Sequence, residues 1–265
     1  MSETEAQKES GAARSFVLFV VVLAFFFISG GCGLLYQVVW TRKLVLLFGT
    51  TSYAVSTVLS IFFLGLGVGS LWGGRLADRS RRPLFVYGVF EIVIGVWALG
   101  FILTVSYGEG AVVAILKAFS FSRGVGIGLR AVMAALLLFV PVALMGATLP
   151  LLAKFVNSAS GETCGTAGRV HGFRIGTLYS VNTFGAVTGC FLTGFVLIQA
   201  LGYFYTTLVG AAANIGIGVL ALLLSRGSTA SEGPQEIGEK AGAEEDAVKM
   251  SVPIKLVLVA FFISG

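Results

Sequence analysis

Long apolar runs separated by short charged or proline-bearing breaks dominate the chain. The first covers residues 15–39, the second 53–74 and the third 84–104. Residues 105–128 are mixed, and within them 111–121 read as a short interfacial helix with Lys117 on its polar side. Apolar sequence resumes over 129–152, with Pro141 and Pro150 inside it, and again over 175–201 and 204–224. A bilayer core takes about 20 apolar residues per helix, so each run is long enough for one crossing. The pattern predicts an all-α, polytopic membrane helical bundle. It has about six transmembrane helices and, at residues 252–265, the start of a seventh.

The polar stretches divide the chain further. Residues 1–14 carry Glu3, Glu5, Lys8, Glu9 and Arg14 and are expected to be a disordered tail. Residues 15–224 form the six-helix transmembrane domain. Residues 225–251 hold Arg226, Glu232, Glu236, Glu239, Lys240, Glu244, Glu245, Asp246 and Lys249, which reads as a charged linker. Composition agrees: 56% of residues are hydrophobic and 12% charged, against roughly 25% charged in soluble domains. The first run is too long for a signal peptide. Cys32 follows Ser29, Gly30 and Gly31 as a lipoprotein cysteine would, but Ser29 stands where an aliphatic residue belongs.

The net charge of +5 adds orientation. With the N-terminus inside, cytoplasmic segments hold 13 of the 18 Lys and Arg residues, and the other side holds Arg42, Lys43, Lys117, Arg123 and Arg130. The positive-inside rule therefore places the tail and the charged linker in the cytoplasm. The densest basic block, Arg75 to Arg82, lacks aromatic interleaving, so no nucleic-acid partner is expected. Cys32, Cys164 and Cys190 show no CxxC spacing, and His171 is the single histidine, which excludes a zinc site or disulfide framework. There is no Ser-His-Asp set and no phosphate-binding loop, so no catalytic site, metal or cofactor is expected in these residues.

Three groups of residues carry candidate roles. Gly65, Gly69 and Gly73 recur every four residues, and Gly185 and Gly189 repeat that spacing later. Small residues on one face let helix backbones approach closely in lipid, so these five are expected to serve helix packing. Glu91 lies well inside the third apolar run. A carboxylate there is costly, so it should be protonated or paired, facing other helices or water. It is either part of a proton or cation pathway or a structural hydrogen bond in the bundle. Tyr179, Asn182 and Thr183 place polar groups on adjacent helix faces, where they line a cavity or bond across to neighbouring helices.

The segment Gly74, Arg75, Leu76, Ala77, Asp78, Arg79, Ser80, Arg81, Arg82, Pro83 is the most specific short motif. It resembles the loop signature between helices 2 and 3 of major facilitator transporters, with Arg81 where Gly is usual and Pro83 where a basic residue is usual. The resemblance implies a brace between two halves during alternating access; the bland reading is a positive-inside anchor in which Asp78 offsets repulsion. A repeat points the same way. LAFFFISG at 23–30 and LVAFFISG at 258–265 agree at six of eight positions. Six helices return the chain to the same side, so the repeat is parallel, as in two-half transporters.

Four segments in order carry a wider resemblance: FISGGCGLLYQVVWTR at 27–42, LGLGVGSLWGGRLAD at 64–78, GATLPLL at 146–152 and LYSVNTFGA at 178–186. Together they resemble the membrane region of fused transporter-like (major facilitator-like)/spermidine synthase family proteins. The resemblance implies an integral membrane protein of a bacterial or archaeal cell. It also implies a second helical half and a soluble domain in the full-length protein, the latter transferring an aminopropyl group from decarboxylated S-adenosylmethionine to a polyamine. No counterpart of that domain's cofactor loop or acidic polyamine site occurs in these residues. The expected partners are the lipid bilayer, those further domains, and a polyamine or another small cation. The alternatives are the N-terminal half of a major facilitator-type secondary transporter and a purely structural anchor.

Overall fold

A computed structural model of the chain describes residues 3–48, 52–108, 110, 114, 123–158 and 167–227. The elements are α1 (Glu3–Phe48), α2 (Ser52–Arg79), α3 (Pro83–Tyr107), α4 (Arg123–Ser158), α5 (Ala167–Leu192), a π-helical turn (Thr193–Leu197) and α6 (Ile198–Gly227). No strand occurs among the described residues. The start of α1 at Glu3 lies within the polar segment set apart above as a tail. The interfacial helix over 111–121 falls almost wholly outside the described residues. The linker beyond Gly227, the start of a seventh helix and Cys164 lie outside them entirely.

Among the described residues, five helical stretches are long and apolar enough to cross a membrane: Phe16–Leu46, Val55–Arg79, Pro83–Tyr107, Gly128–Ser158 and Gly172–Arg226. This differs from the six separate crossings expected. Gly172–Arg226 is one 55-residue stretch, because the sequence between the fifth and sixth apolar runs offers nothing to form a loop. Around the junction only Gln199 is polar, and the backbone stays helical through the π turn. It departs once, at Gly202, with φ 74 and ψ 176. That conformation is essentially open only to glycine, so α6 is two helices merged across a kink.

The motif over 74–83 is also more helical than a loop. Gly74 to Arg79 complete the last turns of α2, and only Ser80, Arg81 and Arg82 separate them from α3. Ser80 N–H bonds back to the carbonyls of Leu76 and Ala77. Pro83 occupies the first turn of α3, where its missing N–H leaves no vacancy in the helix ladder. Pro141 and Pro150 lie inside α4 without ending it.

Glycines set which helices pair. A methyl group at Gly69 would collide with the Ala143 backbone, one at Gly73 with Ala147, and one at Gly146 with Leu66. α2 and α4 therefore run side by side in backbone contact. Gly185 meets Phe27, and Gly189 meets Gly31, which brings α5 onto α1. Gly88 and Gly218 face each other across α3 and α6, and Gly95 faces Ala211; the order along each helix makes this pair antiparallel. In lipid, such contacts gain dispersion energy where no hydrophobic drive exists between helices. Lys154 Nζ donates to the Asp78 carbonyl at 2.8 Å, so the C-terminal ends of α2 and α4 share one side.

Among the described residues, two apolar clusters stack along the bundle. One gathers Tyr36, Trp40, Ile94, Phe101 and Leu138, with Tyr36 stacked on Trp40 at 5.3 Å. The other gathers Val22, Phe26, Tyr87, Leu151 and Ile217. On α1 the second cluster ends at Phe26 and the first begins at Cys32. On α3 the corresponding residues are Tyr87 and Ile94, and on α6 the second cluster begins at Ile217. The positions between them, Ser29, Glu91 and Asn214, are polar.

Candidate functional site

These three positions meet. Glu91 lies about 12 Å along α3 from Pro83 by helical rise and has no accessible surface. Ser29 Oγ on α1 donates to Glu91 Oε1 at 2.6 Å, and Asn214 Nδ2 on α6 donates to Glu91 Oε2 at 2.6 Å. Asn214 Oδ1 in turn accepts from Tyr36 OH on α1 at 3.4 Å. Cys32, one turn from Ser29, donates through Sγ to the Gly210 carbonyl of α6 at 3.6 Å. Tyr87, one turn before Glu91, is fully buried, with its hydroxyl beside the carboxyl. The result is a polar layer joining α1, α3 and α6, closed above and below by the apolar clusters.

Helix geometry explains the grouping. Ser29, Cys32 and Tyr36 are spaced by three and four residues, which places them on one face of α1. Tyr87 and Glu91 share a face of α3 by the same rule. Gly95 and Gly210 let α6 come close enough for Asn214 to reach the carboxyl, since side chains at these glycines would meet Ala211 and Tyr36 respectively. Both hydrogen-bond partners of Glu91 are neutral side chains, so the layer is held by hydrogen bonds alone.

Tyr179, Asn182 and Thr183 do not join this layer. Tyr179 is 61% exposed, and Thr183 Oγ1 bonds back to the Tyr179 carbonyl of its own helix at 2.8 Å. Asn182 instead packs against Gly30 on α1, the residue next to Ser29. The glycines named above lie at the α2–α4 and α1–α5 contacts: Gly65 against Val142, Gly69 and Gly73 against α4, Gly185 and Gly189 against α1.

The charged motif lies elsewhere. Asp78, Arg79, Arg81 and Arg82 are exposed. An open cleft of about 530 Å³ lies between the ends of α2 and α4, lined by Gly74, Asp78, Pro150, Lys154, Asn157 and Ser158 among others. It includes no member of the Glu91 layer. No group of three or more His, Cys, Asp or Glu residues that could hold a metal occurs among the described residues.

Sequence reasoning isolated Glu91 but not Asn214, Tyr36 or Tyr87, and it read Ser29 only as a departure from a lipoprotein box. The available signal was the single amide in the apolar run 204–224 together with the Ser29, Cys32, Tyr36 spacing.

No family model matches the chain, and no solved structure does. Two curated proteins of Streptomyces coelicolor (strain ATCC BAA-471 / A3(2) / M145) are distantly similar. Polyamine aminopropyltransferase 2 is 27% identical over 207 residues, covering 77% of this chain and 34% of that protein. Polyamine aminopropyltransferase 1 is 26% identical over 207 residues with the same coverage. The chain thus spans about a third of the length of the curated relatives it matches.

Proposed function

We propose that this chain is the membrane module of a spermidine synthase-like fusion protein, and that Glu91 handles a cation within it. The similarity to two polyamine aminopropyltransferases over 77% of the chain supports the first part. Because the chain spans 34% of those proteins, aminopropyl transfer is assigned to sequence outside these residues, and the module to membrane attachment and passage of a polyamine or product. In this reading the 55-residue stretch Gly172–Arg226 crosses twice. Its helical length is about 80 Å by rise per residue, against a hydrocarbon core of about 30 Å. The Gly202 kink is the turning point, and the N-terminus is cytoplasmic.

The buried carboxyl favours a second reading, half of a major facilitator-type secondary transporter. An ionisable residue at membrane depth is expensive, and such residues are associated with substrate and ion pathways. Both readings are tested with the full-length gene product in vesicles. Aminopropyl transfer to a polyamine is expected from the full-length protein and not from this chain alone. Polyamine uptake is expected to fall in Glu91→Gln. Uptake without transfer activity supports the transporter; transfer with uptake untouched by Glu91→Gln removes the role of Glu91.

A further inference from the structure

We propose that Pro141 makes a hinge in α4 and that Trp97 on α3 latches it, its indole supplying the hydrogen bond that the proline removes. The inference goes beyond the role of Glu91 and the attached domain, and it depends on neither.

The sequence creates the vacancy. Pro141 lies in the interior of α4. A proline has no N–H, so the carbonyl four residues earlier loses its helical donor. That carbonyl belongs to Leu137. It lies about 14 Å along the apolar stretch Gly128–Ser158 by helical rise. At membrane depth no bulk water replaces the donor, and an unmet carbonyl is costly.

The fold fills it from another helix. Trp97 Nε1 donates to the Leu137 carbonyl at 2.9 Å. An indole has a single N–H and no acceptor, so this bond is the whole of its hydrogen-bonding capacity. Burial alone does not secure such a bond, because Trp40 is fully buried and its Nε1 meets no acceptor.

The grip on α4 changes at the proline. Among the described residues, every close glycine contact between α2 and α4 falls on the C-terminal side of Pro141: Gly65 meets Val142, Gly69 meets Ala143, Gly73 meets Ala147 and Gly146 meets Leu66. The Trp97 bond falls on the N-terminal side. α2 is thus seated on one half of α4, and the indole of α3 holds the other. Between the halves α4 lacks the backbone bond that resists bending. With the indole in place the halves keep one angle. With the indole released, the C-terminal half tilts and carries α2 with it, including Asp78 and Arg79 at its end.

The test joins a mutant cycle to distances between spin labels. The loss of folding equilibrium caused by Trp97→Phe should be about threefold smaller when Pro141→Ala is also present, because position 141 then has an N–H for Leu137. Threefold is about what an average hydrogen bond between membrane helices is worth, and the packing lost with the larger ring cancels in the comparison. Labels are placed at Leu71 on α2 and Leu223 on α6, both exposed, in a protein whose Cys164 and Cys190 are replaced by serine. Their distance distribution in lipid should broaden in Trp97→Phe and narrow again on adding Pro141→Ala. Labels at the exposed Leu103 on α3 and Leu223, on helices joined by Glu91 and Asn214, should keep one distribution throughout. Equal losses with and without Pro141→Ala overturn the latch, and an unbroadened Leu71–Leu223 distribution in Trp97→Phe overturns the hinge. If Trp97→Phe does not fold alone, the double variant should fold with the wild-type distribution; its failure to do so overturns the proposal.

Discussion

Glu91 on α3 and Asn214 on α6 lie 123 residues apart in the sequence, yet they share a 2.6 Å hydrogen bond with neither side chain more than 2% exposed. Both helices approach through glycine, so this bond is part of the α3–α6 seam. Asn214→Leu should destabilise the folded protein by about 1 kcal/mol. Combined with Glu91→Leu, which leaves no acceptor, the double variant should fall short of additivity by about 0.6 kcal/mol, the average for hydrogen bonds between membrane helices. Unfolding of the four proteins in detergent gives the coupling; strict additivity would mean the bond is not formed.

Gly67 and Gly69 sit two residues apart on α2 and should respond oppositely. A methyl at Gly69 strikes the Ala143 backbone, which cannot swing aside, while nothing lies within 4 Å of one at Gly67. Gly69→Ala should therefore cost about 1–3 kcal/mol through forced separation of α2 and α4. Gly67→Ala should change stability by less than about 0.5 kcal/mol. Thermal melts of the two variants decide it.

These contrasts show what was legible in the sequence. The four-residue spacing of Gly65, Gly69 and Gly73 announces a face made for close approach, because small residues are where lipid-embedded helices meet. It does not say that Ala143, Gly146 and Ala147 of α4 are the partner, since nothing local records a contact between positions so far apart. Glu91 stands out because one carboxyl in an apolar run is costly. Asn214 does not, because an amide in lipid is cheaper and its reason, the carboxyl opposite, is visible only in three dimensions. The boundary expected between residues 201 and 204 takes a form the sequence does not show: the helical stretch continues from α5 into α6 and departs from helical geometry at one residue, Gly202. A sequence reading marks helix ends by polar or turn residues, whereas this kink rests on the conformation of one glycine.

Gly202 provides a prediction of its own. Its surroundings are open to a side chain, so any effect of substitution arises from the backbone. Gly202→Ala should cost about 1–3 kcal/mol from strain at φ 74. Cysteines introduced singly at Leu201 and Arg226, both exposed, in a protein whose own exposed Cys190 is replaced by serine, should react with an impermeant maleimide from opposite sides of the membrane. Labelling of both from one side would rule out two crossings by the Gly172–Arg226 stretch.

The measurement closest to the central claim is the partition of aminopropyl-transfer activity between membrane and supernatant, made on the full-length gene product and on a version lacking residues 16–227. The account predicts activity in the washed membrane pellet for the full-length protein and its release to the supernatant when those residues are removed. Activity in the supernatant from the full-length protein, or no aminopropyl transfer in either fraction, would contradict it.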